Sequence, residues 1–163
     1  MKTRDITVSA LLAASAIVLG ATGLGFVPVP TPAGRATIMH IPTILAGILE
    51  GPFVGGVVGL IFGLYSFFTT AVPFLRDPII AIVPRILIGV VAALTFRVTR
   101  KSGIAAVTGT VTNTGGVLGL AVLRGYLPGK VALGIAATHG IPEVIVAAII
   151  VMLIVRGLKK YFA

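Results

Sequence analysis

The sequence predicts an all-α membrane protein: a bundle of six transmembrane helices with a short or irregular second helix and elaborate outer loops. Three observations carry that prediction. Of 163 residues 57% are hydrophobic and 10% charged, where a soluble domain carries about 25% charged residues; the mean hydropathy is +1.14. The apolar residues gather into runs, most of them near the roughly 20 residues that a helix needs to cross a bilayer. The basic residues sit at the ends of those runs, as topology determinants do.

The spans fall at about 6–24, 39–50, 53–72, 78–98, 103–124 and 131–157, in a single membrane domain over residues 1–163. Lys2 and Arg4 precede the first run. That run is longer than a signal-peptide core, and no clear A-x-A site precedes a polar mature domain, so a retained first span is expected. The second is short, with Pro42 near its start, where proline is tolerated. A short span is acceptable if it lines a cavity or is covered by protein. In the third, Gly51, Gly55, Gly59 and Gly63 recur every four residues and predict a face that a neighbouring backbone approaches within the bundle. Gly115 and Gly119 in the fifth read the same way.

Charge orients the chain. With both termini on one side, that side collects Lys2, Arg4, Arg97, Arg100, Lys101, Arg156, Lys159 and Lys160; the other holds Arg35, Arg76, Arg124 and Lys130. The positive-inside rule then places the N- and C-termini in the cytoplasm. The outer connections are the elaborate ones. Residues 25–38 contain Pro28, Pro30 and Pro32 and read as a stiff extended loop. Residues 66–77 mix aromatic and polar side chains, and residues 124–130 close the third loop, whereas the inner link Glu50-Gly51-Pro52 is minimal. A binding site open to the outer face is expected.

Composition excludes several functions. Without cysteine there is no disulfide framework or thiolate metal site. His40 and His139 are the two imidazoles, with no third convergent ligand, so no metal site is expected. Gly125-Tyr-Leu-Pro-Gly-Lys130 lacks the spacing and hydroxyl of a phosphate-binding loop. No nucleophile–base pair is evident, so neither catalysis nor a cofactor is expected. The net charge of +9 forms no basic stripe with interleaved aromatics, which argues against nucleic acid and leaves membrane lipid as the surface partner.

Function should reside in the polar groups that interrupt the spans. Arg85 lies inside Asp77-Pro…Pro84-Arg85-Ile-Leu-Ile-Gly, where a cation costs roughly 2.5–3.5 kcal/mol on insertion scales. Eight residues beyond Asp77, it is expected about 12 Å below the outer surface. His139 lies at a similar depth in the sixth span, and Asn113 is near the middle of the fifth. Glu143 follows His139 by four residues, one helix turn below on the same face. Arg85 has two readings, a ligand contact or a buried pair with Glu143 or Asp77. His139 and Glu143 likewise form a proton relay or brace Pro142. Outward-facing Arg35, Arg76, Arg85 and Arg124 suit a carboxylate, and Tyr65, Phe67, Phe68 and Tyr126 are the aromatics available to stack on a ring.

These residues fall within recognisable motifs. The chain resembles the substrate-binding S components of energy-coupling factor (ECF) vitamin transporters through His40-Ile-Pro-Thr-Ile-Leu-Ala-Gly-Ile-Leu-Glu-Gly-Pro, Gly59-Leu-Ile-Phe-Gly-Leu-Tyr-Ser-Phe, the Pro84-Arg85 segment, Gly109-Thr-Val-Thr-Asn-Thr114 and His139-Gly-Ile-Pro-Glu143. It is similar to the subgroup of pantothenate, folate, hydroxymethylpyrimidine and cobalamin carriers. The resemblance implies a prokaryotic plasma-membrane protein that captures a vitamin from outside, then docks onto a membrane scaffold subunit with two cytoplasmic ATPases. Docking in the family uses an A-x-x-x-A pattern on the first span, supplied here by Ala10 and Ala14. The candidate substrate-binding set is Arg85, Asn113, His139, His40, Arg35, Tyr65, Phe67, Glu143 and Arg124. Pantothenate is the favoured vitamin, then folate, whose two carboxylates would use more than one arginine. The competing reading is a self-sufficient proton- or ion-coupled carrier, for which inverted repeats would be expected.

Overall fold

The computed structural model describes residues 3–28 and 35–162. In order these form α1 (Thr3–Thr22), the antiparallel strands β1 (Phe26–Pro28) and β2 (Arg35–Thr37), α2 (Ile41–Glu50), α3 (Pro52–Thr69), a 3-10 turn (Pro73–Arg76), α4 (Pro78–Thr99), α5 (Ser102–Leu123), α6 (Gly129–Ile135), a π-turn (Ala136–Gly140) and α7 (Ile141–Phe162). Five stretches are long and apolar enough to cross a membrane: Thr3–Thr22, Pro52–Thr69, Pro78–Thr99, Ser102–Leu123 and Gly129–Leu158; the short apolar helix Ile41–Glu50 completes the six. The six-helix membrane bundle with a short second helix is therefore the architecture of the chain.

Two local structures depart from the sequence reading. The two described ends of the outer loop are not only extended but paired, Phe26 with Thr37, Val27 with Ala36 and Pro28 with Arg35, while Pro30 and Pro32 lie outside the described residues. The ladder is continued by Ile38 N donating to Gly25 O at 2.8 Å. The sixth span is not one regular helix either. Pro142 lacks the N–H that would bond to the Thr138 carbonyl, and the chain widens into the π-turn just ahead of it.

Helix α2 is the hub. It packs against α1, α3, α4, α5 and α7, and each residue from Ile41 to Ile48 is buried. The main core joins its Ile41, Ile44, Leu45 and Ile48 to Phe62 of α3, Ile88 of α4 and Val151 of α7. Proline at the second position of α2 takes the place of an N–H that has no helical partner anyway. Gly51, with φ 98°, then turns the chain directly into α3.

The glycine ladder is a seam inside the bundle. A Cβ on Gly55 would lie 2.8 Å from Gly47 Cα and 2.9 Å from Gly89 Cα; one on Gly59 would lie 2.9 Å from Ile86 Cα. The backbones of α2, α3 and α4 thus approach to a distance only glycine permits. The fifth span differs: a Cβ on Gly115 or Gly119 would meet nothing within 4 Å. The packed face of α5 is instead Ala105, Ala106, Gly109, Thr110, Val117, Leu118 and Ala121, which turns those two glycines away from the bundle. Gly59→Ala should therefore destabilise by about 1–3 kcal/mol through overpacking, read as a drop in the thermal unfolding midpoint in detergent. Gly119→Ala should cause no loss, and equal midpoints for the two variants would refute the seam.

Candidate functional site

A cavity of about 410 Å³ opens at the end of the bundle that carries the hairpin. Each wall has a local cause. The hairpin contributes Phe26 and Thr37, and the short lead into α2 brings Met39 and His40. Because α2 begins only at Ile41, the space that a full-length helix would fill is left to side chains. Helix α3 offers Phe62, Tyr65, Ser66 and Thr69, spaced three and four apart so that they share one face. Gly20 of α1 lets Tyr65 close in: a Cβ there would meet the Tyr65 ring at 2.7 Å. Thr70, Val72 and Leu75 after α3, Arg85 of α4 and Asn113 of α5 complete the lining.

Arg85 is held by its neighbour in sequence. Pro84 has no N–H, which strands the carbonyl of Ile80 four residues earlier. Arg85 Nη1 donates to that Ile80 oxygen at 3.0 Å. Helical side chains lean toward the N-terminus, so the same geometry directs the guanidinium toward the cavity. Its carbon lies 5.8 Å from the Phe62 ring centre, a cation–π approach. Arg85 is 6% exposed, and no carboxylate lies within ion-pair distance of it among the described residues. Of the two readings of Arg85, the buried pair with Glu143 or Asp77 is thus not formed.

Pro84→Ala should restore the N–H donor to Ile80 and release the guanidinium from its tether. The expected result is weaker ligand binding with unchanged or slightly raised thermal stability; unchanged binding would refute the tether.

His40 Nε2 lies 2.9 Å from Thr110 Oγ1, deep in the bundle. Its Nδ1, together with Arg85 Nε and Asn113 Oδ1, is buried without a hydrogen-bond partner among the described residues. Buried polar atoms are normally satisfied. Three such atoms, on residues that line one cavity, form a constellation suited to a small polar anion.

Glu143 serves differently from expectation. Its Oε1 accepts from Thr37 N at 3.1 Å and from the Thr37 hydroxyl, and its Oε2 accepts from Thr114 Oγ1 at 3.2 Å. The carboxylate therefore latches the hairpin to α5 and α7. His139 Nδ1 lies 3.3 Å from Thr138 Oγ1, and no hydrogen bond joins His139 to Glu143 among the described residues. His139 lies within the π-turn, whose wider winding departs from the α-helical geometry that would stack residues four apart.

Asp77 caps α4 by accepting from Ile79 N at 3.0 Å and forms an ion pair with Arg124. Arg124, Phe67 and His139 lie outside the cavity lining, whereas Arg85, Asn113, His40 and Tyr65 belong to it. Arg35 sits in β2, and its side chain lies outside the described residues. Among the described residues no three His, Asp or Glu side chains gather as a metal site would need.

The family model of the ECF transporter substrate-specific component matches residues 4–155. The chain is an ECF transporter S component. As such it is a multi-pass membrane protein of vitamin transport and not an enzyme. The pantothenic acid transporter PanT of Lactococcus lactis subsp. cremoris (strain MG1363) is 32% identical to it over 158 residues, covering 77% of this chain and 79% of that protein. A solved structure of the S component of a bacterial ECF transporter superposes with a TM-score of 0.68, covering 99% of both chains at 21% identity. That likeness concerns the fold.

Sequence reasoning about this S component missed Thr37, Phe62 and Ser66. Phe62 and Ser66 stand three before and one after Tyr65 on α3, so helical spacing from Tyr65 would have found Phe62. Thr37 carried no signal, because its partner Glu143 is 106 residues away in sequence.

Proposed function

We propose that this S component captures pantothenate at the outer face of a prokaryotic plasma membrane and delivers it to a membrane scaffold with two cytoplasmic ATPases. The observation that carries the reading is Arg85, a buried guanidinium with one protein hydrogen bond and a cavity beside it. A carboxylate on the ligand would supply the missing counter-charge. Asn113 Oδ1 and His40 Nδ1 would meet the hydroxyl and amide groups of the same molecule.

Size and charge support a small, singly anionic vitamin. At about 410 Å³ the cavity is near the lower end of the roughly 300–1,000 Å³ typical of ligand pockets. Arg85 is the one lysine or arginine among its described lining residues, which suits one carboxylate better than the two of folate. The name of the 32% identical relative points the same way.

Docking and topology belong to the same proposal. Ser9, Ala13 and Ala16 are the buried residues of α1, whereas Ala10 and Ala14 are exposed and free to meet a scaffold helix. The termini are assigned to the cytoplasm by the basic residues at that end, and residues 1–163 act as one membrane domain.

Calorimetry on the purified protein with pantothenate, folate and other B vitamins tests the substrate. Pantothenate should bind at nanomolar to low-micromolar concentration. Tighter binding of another vitamin would overturn the choice, and silence across the panel would overturn the reading. The proton-coupled alternative would use His139 and Glu143, whose hydrogen bonds here go to Thr138 and to Thr37 and Thr114; uptake into liposomes driven by a pH gradient without ATP would favour it.

A further inference from the structure

The opposite end of the bundle carries a second, chemically different opening. A groove of about 610 Å³ lies between the start of α5 and the later part of α7. Its rim holds Arg100, Lys101 and Arg156, and its wall continues along the helices through Ile104, Val107, Ala148 and Met152. Among the described residues no acidic side chain lines it. None of the three cations has an ion pair among the described residues. Three like charges thus crowd one mouth without a counter-charge among the described residues.

The backbone adds to this. Arg100 ends α4 with φ 56°, the left-handed region where glycine sits without steric cost and an arginine does not. Its backbone N–H caps the helix by donating to Phe96 O at 2.8 Å, and that turn brings the side chain to the rim of the groove. Helix α5 begins at the same mouth, with Ser102 and Gly103 in the lining.

The pattern of charge and hydrocarbon identifies the occupant. A soluble anion would need the rim but not the wall. Ile104, Val107 and Met152 extend the groove along helices that cross the membrane, so whatever fills it lies parallel to the acyl chains. We propose that this groove binds an anionic phospholipid of the adjacent leaflet, with its phosphate against Arg100, Lys101 and Arg156 and one acyl chain along Ile104, Val107, Ala148 and Met152. Basic pockets between membrane helices recognise such headgroups by the same combination. The site is separate from the ligand cavity and does not depend on which vitamin binds there.

Native mass spectrometry of the delipidated, purified chain tests this by titration with phosphatidylglycerol, with zwitterionic phosphatidylcholine and with inorganic phosphate. Phosphatidylglycerol should be retained at least tenfold more strongly than phosphatidylcholine. Arg156→Gln should lower that retention about fivefold, the value of one cation near an anionic surface. Arg97→Gln removes a charge from the same end but outside the groove and should change it less than twofold. Ala148→Trp, which fills the wall and leaves every cation in place, should also reduce retention, and normal vitamin binding will show that the variant is folded. Equal retention of the two lipids, or equal losses in Arg156→Gln and Arg97→Gln, would overturn the site. Full displacement of the lipid by millimolar phosphate, with Ala148→Trp unaffected, would overturn the lipid as occupant and leave a simple anion site.

Discussion

Replacing Arg85 by methionine should weaken pantothenate binding by roughly 30-fold to several thousand-fold, the range corresponding to the 2–5 kcal/mol typical when one partner of a buried, hydrogen-bonded charge pair is removed. The chain length and most of the packing volume are retained, while the proposed counter-charge for the carboxylate is lost. Thermal stability without ligand should respond quite differently. Removing a buried, unpaired cation relieves a desolvation cost, offset by about 1 kcal/mol for the Ile80 carbonyl that loses its donor. A large fall in affinity with a nearly unchanged melting temperature is therefore the expected signature. Affinity within threefold of wild type would remove Arg85 from the ligand contacts, and a melting temperature that collapses with it would make Arg85 a structural residue.

Glu143→Ala should act on the lifetime of the complex more than on its formation. The Glu143 carboxylate accepts from Thr37 N, Thr37 Oγ1 and Thr114 Oγ1, and Thr37 lines the cavity. Hydrogen bonds to a charged acceptor contribute about 1.5–3 kcal/mol each, so loss of the latch should speed ligand release at least about tenfold. Association should change little, because the Arg85 charge proposed to meet the ligand remains in place. Thr37→Val removes one of the two hydrogen bonds from Thr37 and keeps its N–H, so its effect should be smaller. Stopped-flow measurement of release rates separates these cases. An unchanged rate in Glu143→Ala would mean that the hairpin stays closed without the carboxylate.

The bundle was legible because each span is defined by its own hydropathy and ends at proline, glycine or charge, all local signals. Pro42 and Gly51 even bracket the shortened α2. The hairpin was not legible, since strands of three residues each leave no periodicity to read. Nor was the π-turn, whose one local hint is Pro142. Within the site, the depth of Arg85 followed from counting residues, and its Ile80 partner followed in principle from Pro84. The roles of Glu143 and Arg124 did not, because their partners Thr37 and Asp77 are brought to them by tertiary packing. A buried carboxylate reads alike in sequence whether it answers an arginine or a backbone amide.

The brevity of α2 has a consequence for leakage. Its ten residues extend only about 15 Å along the helix axis, half the roughly 30 Å thickness of the hydrocarbon core. Beneath the cavity, the buried run Ile41–Ile48 is therefore the plug separating a half-depth vestibule from the far side. Opening a conduit through it would mean parting backbones that touch at Gly47, Gly55 and Gly89. The chain on its own should be watertight: liposomes containing it should hold pantothenate and ion gradients as long as empty ones do. On the proposed reading, a solute held at Arg85 would reach the other side only if the body around it changed its exposure as a unit.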